Sequence, residues 1–167
     1  MTIAFAAAVL VFAPMALEAV VAARHDRALR AMGAIDAPGD VYRAMQVAYP
    51  SAFLLMIGEG AWRGLSPDTL VAAGAAVFVV AKALKYWAIA SLGVRWTFRV
   101  LVPPGSVRTA RGPYRWVPHP NYVAVALELT GVALAMQAAF TGLPAVAGFI
   151  LLMWRRVGIE EKAMGGR

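Results

Sequence analysis

The chain has 167 residues, of which 61% are hydrophobic and only 15% are charged, and its formal net charge is +7. Soluble domains average about 25% charged residues, so this composition excludes a typical water-soluble fold and intrinsic disorder and predicts a single membrane domain. The basic excess then belongs to loops outside the lipid, and not to a nucleic-acid-binding surface. The absence of cysteine excludes disulfides and thiolate metal sites, and with only two histidines we expect no metal centre.

The first three predicted membrane spans occupy residues 1–90, because a spanning helix needs about 20 mostly apolar residues. They are Thr2–Ala23, Val41–Trp62 and Asp68–Ala90. A polar loop, Arg24–Asp40, separates the first two. Ser66-Pro67-Asp68 is a helix-start signal for the third.

The second half, residues 91–167, begins with Ser91–Pro118, which is rich in Arg, Gly, Pro and aromatic residues and is not a buried span. The apolar stretch His119–Trp154 is too long for one crossing, and Thr141-Gly142-Leu143-Pro144 predicts a break in it. We therefore expect a helical hairpin, giving an all-α polytopic protein with about five spans. A four-span alternative, in which the hairpin dips without crossing, stays open. The two arms of the hairpin are Asn121–Phe140 and Pro144–Trp154.

The basic residues predict how the chain is oriented. Every Lys and Arg except Arg63 flanks the first loop, the segment after the third span, or the C-terminus. Cytoplasmic loops are rich in Lys and Arg, so we expect the N-terminus outside a bacterial cell membrane and the C-terminus in the cytoplasm. The four-span alternative gives the same orientation.

Six polar side chains fall inside the predicted spans, where each is a candidate functional residue because burial in lipid is costly. They are Glu18, Glu59, Lys82, Lys85, Glu128 and Gln137. Glu18, Glu59 and Lys85 are close enough to span ends to reach the interface. Glu128 lies about 12 Å inside its helix, so its carboxyl either pairs with Lys82 or faces a polar pocket. Both alternatives stay open.

A histidine-containing motif precedes the fourth span. The chain reads Arg111-Gly112-Pro113-Tyr114-Arg115-Trp116-Val117-Pro118-His119-Pro120-Asn121-Tyr122. Pro120 is suited to the first helical turn, which puts His119 at the helix entrance and Tyr122 on the same face. The positive helix N-terminus suits a carboxylate of a bound molecule. For the histidine alone, a structural hydrogen bond is the simpler interpretation.

A pair of adjacent carboxylates, Glu160 and Glu161, lies in the helix that continues out of the membrane. Their side chains diverge by about 100°, so one can face a pocket while the other faces solvent or Arg156. Arg156 is four residues before Glu160 and can pair with it. Taken alone, this pattern is better explained as a solvated helix end.

Together these motifs resemble the isoprenylcysteine carboxyl methyltransferase family. The matching order is LG-x-x-WT, then GPY-x(4)-HPNY, a predicted hairpin and R-x(3)-EE, over about Ser91–Met164. The resemblance implies an integral membrane methyltransferase that uses S-adenosylmethionine, with residues 91–167 forming a cytoplasmic cofactor-binding region. The acceptor would be a lipophilic small molecule or a prenylated molecule, methylated on a carboxylate or acidic hydroxyl oxygen.

The resemblance also implies site residues. On the acceptor side the candidates are Arg156, Trp96 and Glu128. Pro118 stands where the family usually has Arg, and the short tail is similar to small bacterial members that act on lipophilic polyketide hydroxyls. The residues implied to line the cofactor pocket are Gly112, Pro113, Tyr114, His119, Asn121, Tyr122, Glu160 and Glu161.

Two other functions compete with this interpretation. One is a nicotinamide-dependent membrane reductase of the sterol-reductase type, which would also hold its cofactor at the cytosolic side. The other is a non-catalytic membrane protein, which would tolerate substitution of His119, Tyr122 and Glu161.

Overall fold

The computed structural model describes residues 2–104 and 109–163, and most of them lie in five α-helices. Two short 3-10 turns, Gly93–Arg95 and Gly112–Arg115, and a two-stranded ribbon complete the described part. The ribbon pairs β1, Ile35–Asp36, with β2, Leu101–Val102, and was not predicted from the sequence. The helices are α1 (Thr2–Ala31), α2 (Tyr42–Arg63), α3 (Thr69–Leu92), α4 (Pro120–Ala135) and α5 (Ala139–Ala163).

Three of these helices, α1, α3 and α5, are long and apolar enough to cross a membrane. Helix α4 is apolar but has only 16 residues, which is about 24 Å of helix. The helical, membrane-embedded character agrees with the sequence-based expectation. The structure supports three spans by length and composition, fewer than the five that we predicted.

Helix α1 differs most from its prediction. It continues through Ala31, so the polar loop expected from Arg24 begins only at Met32. The charged residues that resembled a loop form the last two turns of the helix. A basic residue in the last turn, here Arg30, is stabilised there by the negative end of the helix dipole.

Two helix starts follow the sequence signals, and one helix end does not. Asp68 caps α3 by accepting a hydrogen bond from the Val71 amide at 2.8 Å, and α4 begins at Pro120 as predicted. The break between α4 and α5 lies at residues 136–138, where Gln137 has a φ of 49°, and not at Thr141–Pro144. Pro144 is instead inside α5.

Glycines allow α3 and α4 to pack against each other with their backbones in contact. A side chain at Gly74 would collide with the backbone of Ala135, and one at Gly131 would lie 2.8 Å from the Phe78 nitrogen. Such close approach is common where helices pack in lipid, because apolar surface alone does not drive their association. This contact fixes α4, which carries His119 and Tyr122 at its start, against α3.

Charged and polar residues collect at both ends of the bundle. At one end, the β1–β2 ribbon joins the loop after α1 to the segment after α3, so those two basic regions lie together. At the other end, Arg63 donates to the Gln137 carbonyl and Glu59 accepts from the Thr141 amide at 2.8 Å. The separation of Arg63 from the other basic loops therefore agrees with its predicted position.

Candidate active site

The candidate site begins where α4 begins. His119 precedes the first residue of α4, and its ring stacks on Tyr122 with centroids 5.5 Å apart and planes 19° from parallel. The shared face predicted from the sequence is therefore confirmed. His119 Nε2 is buried and has no hydrogen-bond partner among the residues that the structure describes.

Both carboxylates of α5 reach this histidine. Glu160 Oε2 lies 3.6 Å from His119 Nδ1, and Glu161 Oε1 lies 3.6 Å from His119 Nε2. Both carboxylates thus contact the histidine, and the Glu161 side chain also stays 43% exposed to solvent, as the sequence allowed for one of the two. Each carboxylate faces a different ring nitrogen, so the imidazole lies between them. Both acidic side chains are therefore at the N-terminal end of α4.

Tyr122 separates Arg156 from Glu160. Arg156 Nε donates to the Tyr122 hydroxyl at 3.0 Å, and that hydroxyl donates to Glu160 Oε2 at 2.8 Å. Arg156 is buried, with 5% of its surface exposed. The possible direct pair between Arg156 and Glu160 is thus replaced by a relay through a tyrosine hydroxyl.

The remaining contacts of Arg156 come from the first half of the chain and from the segment after α3. It donates to the Phe98 carbonyl, and its Nη1 lies 3.6 Å from both Asp40 Oδ1 and the sulfur of Met45. Asp40 was not predicted as part of the site. No sequence signal identified it, because its role depends on the fold bringing the α1–α2 loop beside α5.

The glycine- and proline-containing turn packs against α3. Gly112 has a φ of 55°, and its Cα faces the side chain of Ser91, so a larger residue has no room there. Pro113 is buried, and Tyr114 is half-buried beside the carboxylate of Glu160. Burial, with a smaller contribution from the Glu160 charge, raises the pKa of Tyr114 well above its usual value.

Trp96 and Asn121 contact each other at the start of α4. Trp96 is buried and its indole nitrogen donates to Asn121 Oδ1 at 3.3 Å. Its backbone carbonyl accepts a hydrogen bond from His25 Nδ1 at 2.8 Å. Trp96 therefore links α1 to the start of α4.

An apolar groove of about 420 Å³ runs between α4 and α5 and ends at His119 and Tyr122. Those two are the polar side chains at its wall, and Trp96, Glu128 and Arg156 do not line it. The other lining residues are Val117, Pro118, Val123, Ala126, Ile150, Met153, Trp154 and Val157.

Glu128 lies deeper, in a closed ring of two carboxylates and two ammonium groups. Lys82 Nζ is 2.8 Å from Glu18 and 3.0 Å from Glu128. Lys85 Nζ is 2.7 Å from Glu18 and 3.2 Å from Glu128, and Tyr49 donates a hydrogen bond to Glu128. We call Glu18, Lys82, Lys85 and Glu128 the charged ring.

The charged ring decides between the alternatives left open for these residues. Glu128 pairs with Lys82, as one alternative proposed. The expectation that Glu18 and Lys85 reach the interface is wrong, because both are at least 96% buried in the bundle. Glu59 lies at the end of the bundle, as expected, and its carboxylate there accepts hydrogen bonds from the backbone of Phe140 and Thr141 at the start of α5.

Comparison with known proteins gives one family and two bacterial relatives. The family model described as the isoprenylcysteine carboxyl methyltransferase (ICMT) family matches residues 74–165. The uncharacterized protein YpbQ of Bacillus subtilis is 32% identical over 149 residues, which is 89% of each chain. An uncharacterized protein of Haemophilus influenzae is 29% identical over 142 residues, or 84% of this chain and 83% of that one. No solved structure matches.

Proposed function

Because this chain belongs to the isoprenylcysteine carboxyl methyltransferase family, we propose that it transfers a methyl group from S-adenosylmethionine to an oxygen of a lipophilic acceptor. Family membership makes it a membrane methyltransferase of that type. The cofactor, the oxygen acceptor and the site residues are our proposal. The observation that carries it is the convergence of Glu160 and Glu161 on His119, a residue that also lines the apolar groove between α4 and α5.

The side chains at this position suit S-adenosylmethionine. This cofactor carries an ammonium group and ribose hydroxyls, which are hydrogen-bond donors. Carboxylates such as those of Glu160 and Glu161 can accept hydrogen bonds from them. The buried Nε2 of His119, which has no hydrogen-bond partner among the described residues, offers a further polar contact. When bound, the cofactor supplies an electrophilic methyl group on a sulfonium.

The residues around these three complete the proposed cofactor pocket. Tyr122 holds Glu160 and stacks on His119, and the half-buried Tyr114 lies beside Glu160. We propose that Gly112 and Pro113 let the chain pass close to the cofactor. Asn121, held by Trp96, would line the same pocket.

We propose that the groove between α4 and α5 admits the acceptor from the lipid. Its apolar wall suits a hydrocarbon tail, and His119 and Tyr122 would then lie near the acceptor oxygen. Methyl transfer requires that oxygen about 3 Å from the methyl carbon and in line with the breaking bond, so positioning supplies much of the rate. Arg156 and Trp96 would hold the pocket in shape. Glu128 would contribute indirectly, by holding the helices together through the charged ring.

The proposed orientation puts this site at the cytoplasmic side. The ribbon between β1 and β2 joins the two basic regions at the end of the bundle that carries His119 and Arg156. Cytoplasmic loops are enriched in Lys and Arg, which supports the site facing the cytosol with the N-terminus outside.

Calorimetry with S-adenosylhomocysteine, the demethylated cofactor, tests the proposed cofactor on the purified protein. We expect saturable binding that weakens at least tenfold in Tyr122→Ala and in Glu161→Ala. Tyr86→Ala and Lys162→Ala, which change exposed residues outside the pocket, are matched controls that keep the wild-type affinity. No binding by the unmodified protein, or binding of NADPH in its place, would refute the proposal.

The acceptor is identified by transfer of a labelled methyl group. Membranes containing the protein are incubated with methyl-labelled S-adenosylmethionine and a lipid extract, and the labelled product is analysed by mass spectrometry. We expect a lipid-soluble methyl ester or ether, and a methylated amine would contradict the oxygen acceptor while leaving the cofactor assignment intact.

A further inference from the structure

We propose that Asp40, in the loop between α1 and α2, is a positioning residue that keeps Arg156 away from Glu160 and so leaves Glu160 available to the cofactor. The inference rests on the proposed function, since it concerns the same pocket. Asp40 lies outside residues 74–165, the part of the chain that the family model matches. It would make the first half of the chain part of the site.

Asp40 is itself held rigidly. Its Oδ1 accepts a hydrogen bond from the Tyr42 amide at 3.1 Å, and its Oδ2 accepts one from the Val100 amide at 2.9 Å. The side chain is 90% buried. Backbone amides from two separate segments therefore fix the carboxylate in one place.

Arg156 extends from α5 toward this fixed charge. Its Nη1 lies 3.6 Å from Asp40 Oδ1, and its Nη2 donates to the Phe98 carbonyl. The guanidinium is planar and its donors form a rigid fork, so the fixed charge of Asp40 beside Nη1 and the fixed Phe98 carbonyl at Nη2 set the direction of the third donor, Nε. That donor points at the Tyr122 hydroxyl at 3.0 Å.

The consequence for Glu160 follows from helix geometry. Arg156 and Glu160 are four residues apart on α5, a spacing at which an Arg and a Glu pair directly when nothing else holds them. In the structure Arg156 instead reaches Asp40, and the Tyr122 hydroxyl stands between it and Glu160. Without the Asp40 charge, a largely buried guanidinium would lose its counter-ion, and Glu160 is the nearest carboxylate on the same helix.

The loss of Asp40 is therefore expected to weaken cofactor binding from a distance. Once Arg156 pairs with Glu160, that carboxylate is neutralised and turned from the pocket. The effect requires Arg156, so it should disappear when Arg156 is also replaced. If Asp40 had only a structural role, the losses of affinity from replacing Asp40 and Arg156 would add, and the double variant would be weaker than either single variant.

The test measures S-adenosylhomocysteine affinity of the full-length protein by calorimetry in four forms. These are the unmodified protein, Asp40→Asn, Arg156→Gln and the double variant. We expect Asp40→Asn to bind S-adenosylhomocysteine about tenfold more weakly. This is the loss typical of one charged hydrogen bond, here the one between Glu160 and the ligand. The double variant should bind more tightly than Asp40→Asn and within about twofold of Arg156→Gln.

Asp36→Asn is the matched control. Asp36 lies in the same loop but is exposed and pairs with Arg30 at 2.9 Å, so its replacement should leave the affinity within about twofold. Wild-type affinity of Asp40→Asn, or a double variant weaker than either single variant, would overturn the inference while the proposed function stands. No binding by the unmodified protein would overturn both.

Folding failure of Asp40→Asn does not end the test. The double variant removes both charges of the buried pair and is expected to fold, because neither partner is left uncompensated. Its affinity is then compared with that of Arg156→Gln alone. Equal affinities support the inference, and a further loss in the double variant refutes it.

Discussion

Replacing Lys85 by Met tests the charged ring, since it removes one of the two cations from four charges buried between the helices. Lys85 Nζ lies 2.7 Å from Glu18 and 3.2 Å from Glu128, and only 2% of the residue is exposed. Methionine has a similar length without the charge. The variant leaves two carboxylates to share Lys82, which gives the buried group a net negative charge.

The expected cost follows from this imbalance. Breaking a buried ion pair by removing one partner destabilises a protein by about 3–5 kcal/mol, because the other charge is left without compensation. Unfolding free energies are commonly about 5–15 kcal/mol, so Lys85→Met should lose a large part of the stability. The double variant with Glu18→Gln leaves the neutral pair of Lys82 and Glu128, 3.0 Å apart. We expect it to recover about 2 kcal/mol of the loss.

The assay is unfolding of the purified protein in mixed detergent micelles, followed by far-ultraviolet circular dichroism. Lys162→Met is the control, because this exposed lysine on α5 should change the unfolding free energy by less than about 0.5 kcal/mol. A double variant whose loss equals the sum of the Lys85→Met and Glu18→Gln losses would refute the interpretation. Such additivity would mean that the ring members act independently.

Three further perturbations test other parts of the fold. Gly74→Leu should separate α3 from α4 and cost several kcal/mol in thermal unfolding, whereas Gly148→Leu, which meets open space, should not. Glu59→Gln weakens the acceptor of the Phe140 and Thr141 amides and should lower stability by about 1–2 kcal/mol in the same assay. Tyr114 has a raised pKa, so its phenol should ionise later than an exposed tyrosine, and Tyr114→Phe should remove a late step from the alkaline titration at 295 nm. An unchanged late step would contradict the burial of Tyr114.

Local signals predicted the parts of the fold that depend on local chemistry. Asp68 caps α3, and Pro120 begins α4, because a side-chain acceptor and a missing amide act within one helical turn. The shared face of His119 and Tyr122 was also predicted from their spacing of three residues, and the two rings stack there. These features need no knowledge of which helix lies beside which.

Features that depend on helix pairing could not be predicted in this way. The break between α4 and α5 was expected at Thr141–Pro144, yet Glu59 of α2 accepts hydrogen bonds from the amides of this region and lets α5 begin at Ala139. Asp40 joins the site only because the loop after α1 lies beside α5. Neither contact leaves a signal in the sequence near the residues it affects.

Helix pairing, which the sequence did not reveal, also affects the prediction of how the chain is oriented in the membrane. The count of basic residues included Lys82, Lys85 and Arg156 as flanking charges of cytoplasmic regions. All three are largely buried and pair with carboxylates, so they neutralise internal charge and carry no information about the side of the membrane. The prediction then depends on the remaining basic residues, which still separate from Arg63. The basic excess thus has two physical origins: exposed basic side chains at one end of the bundle, and cations that the buried acidic residues require.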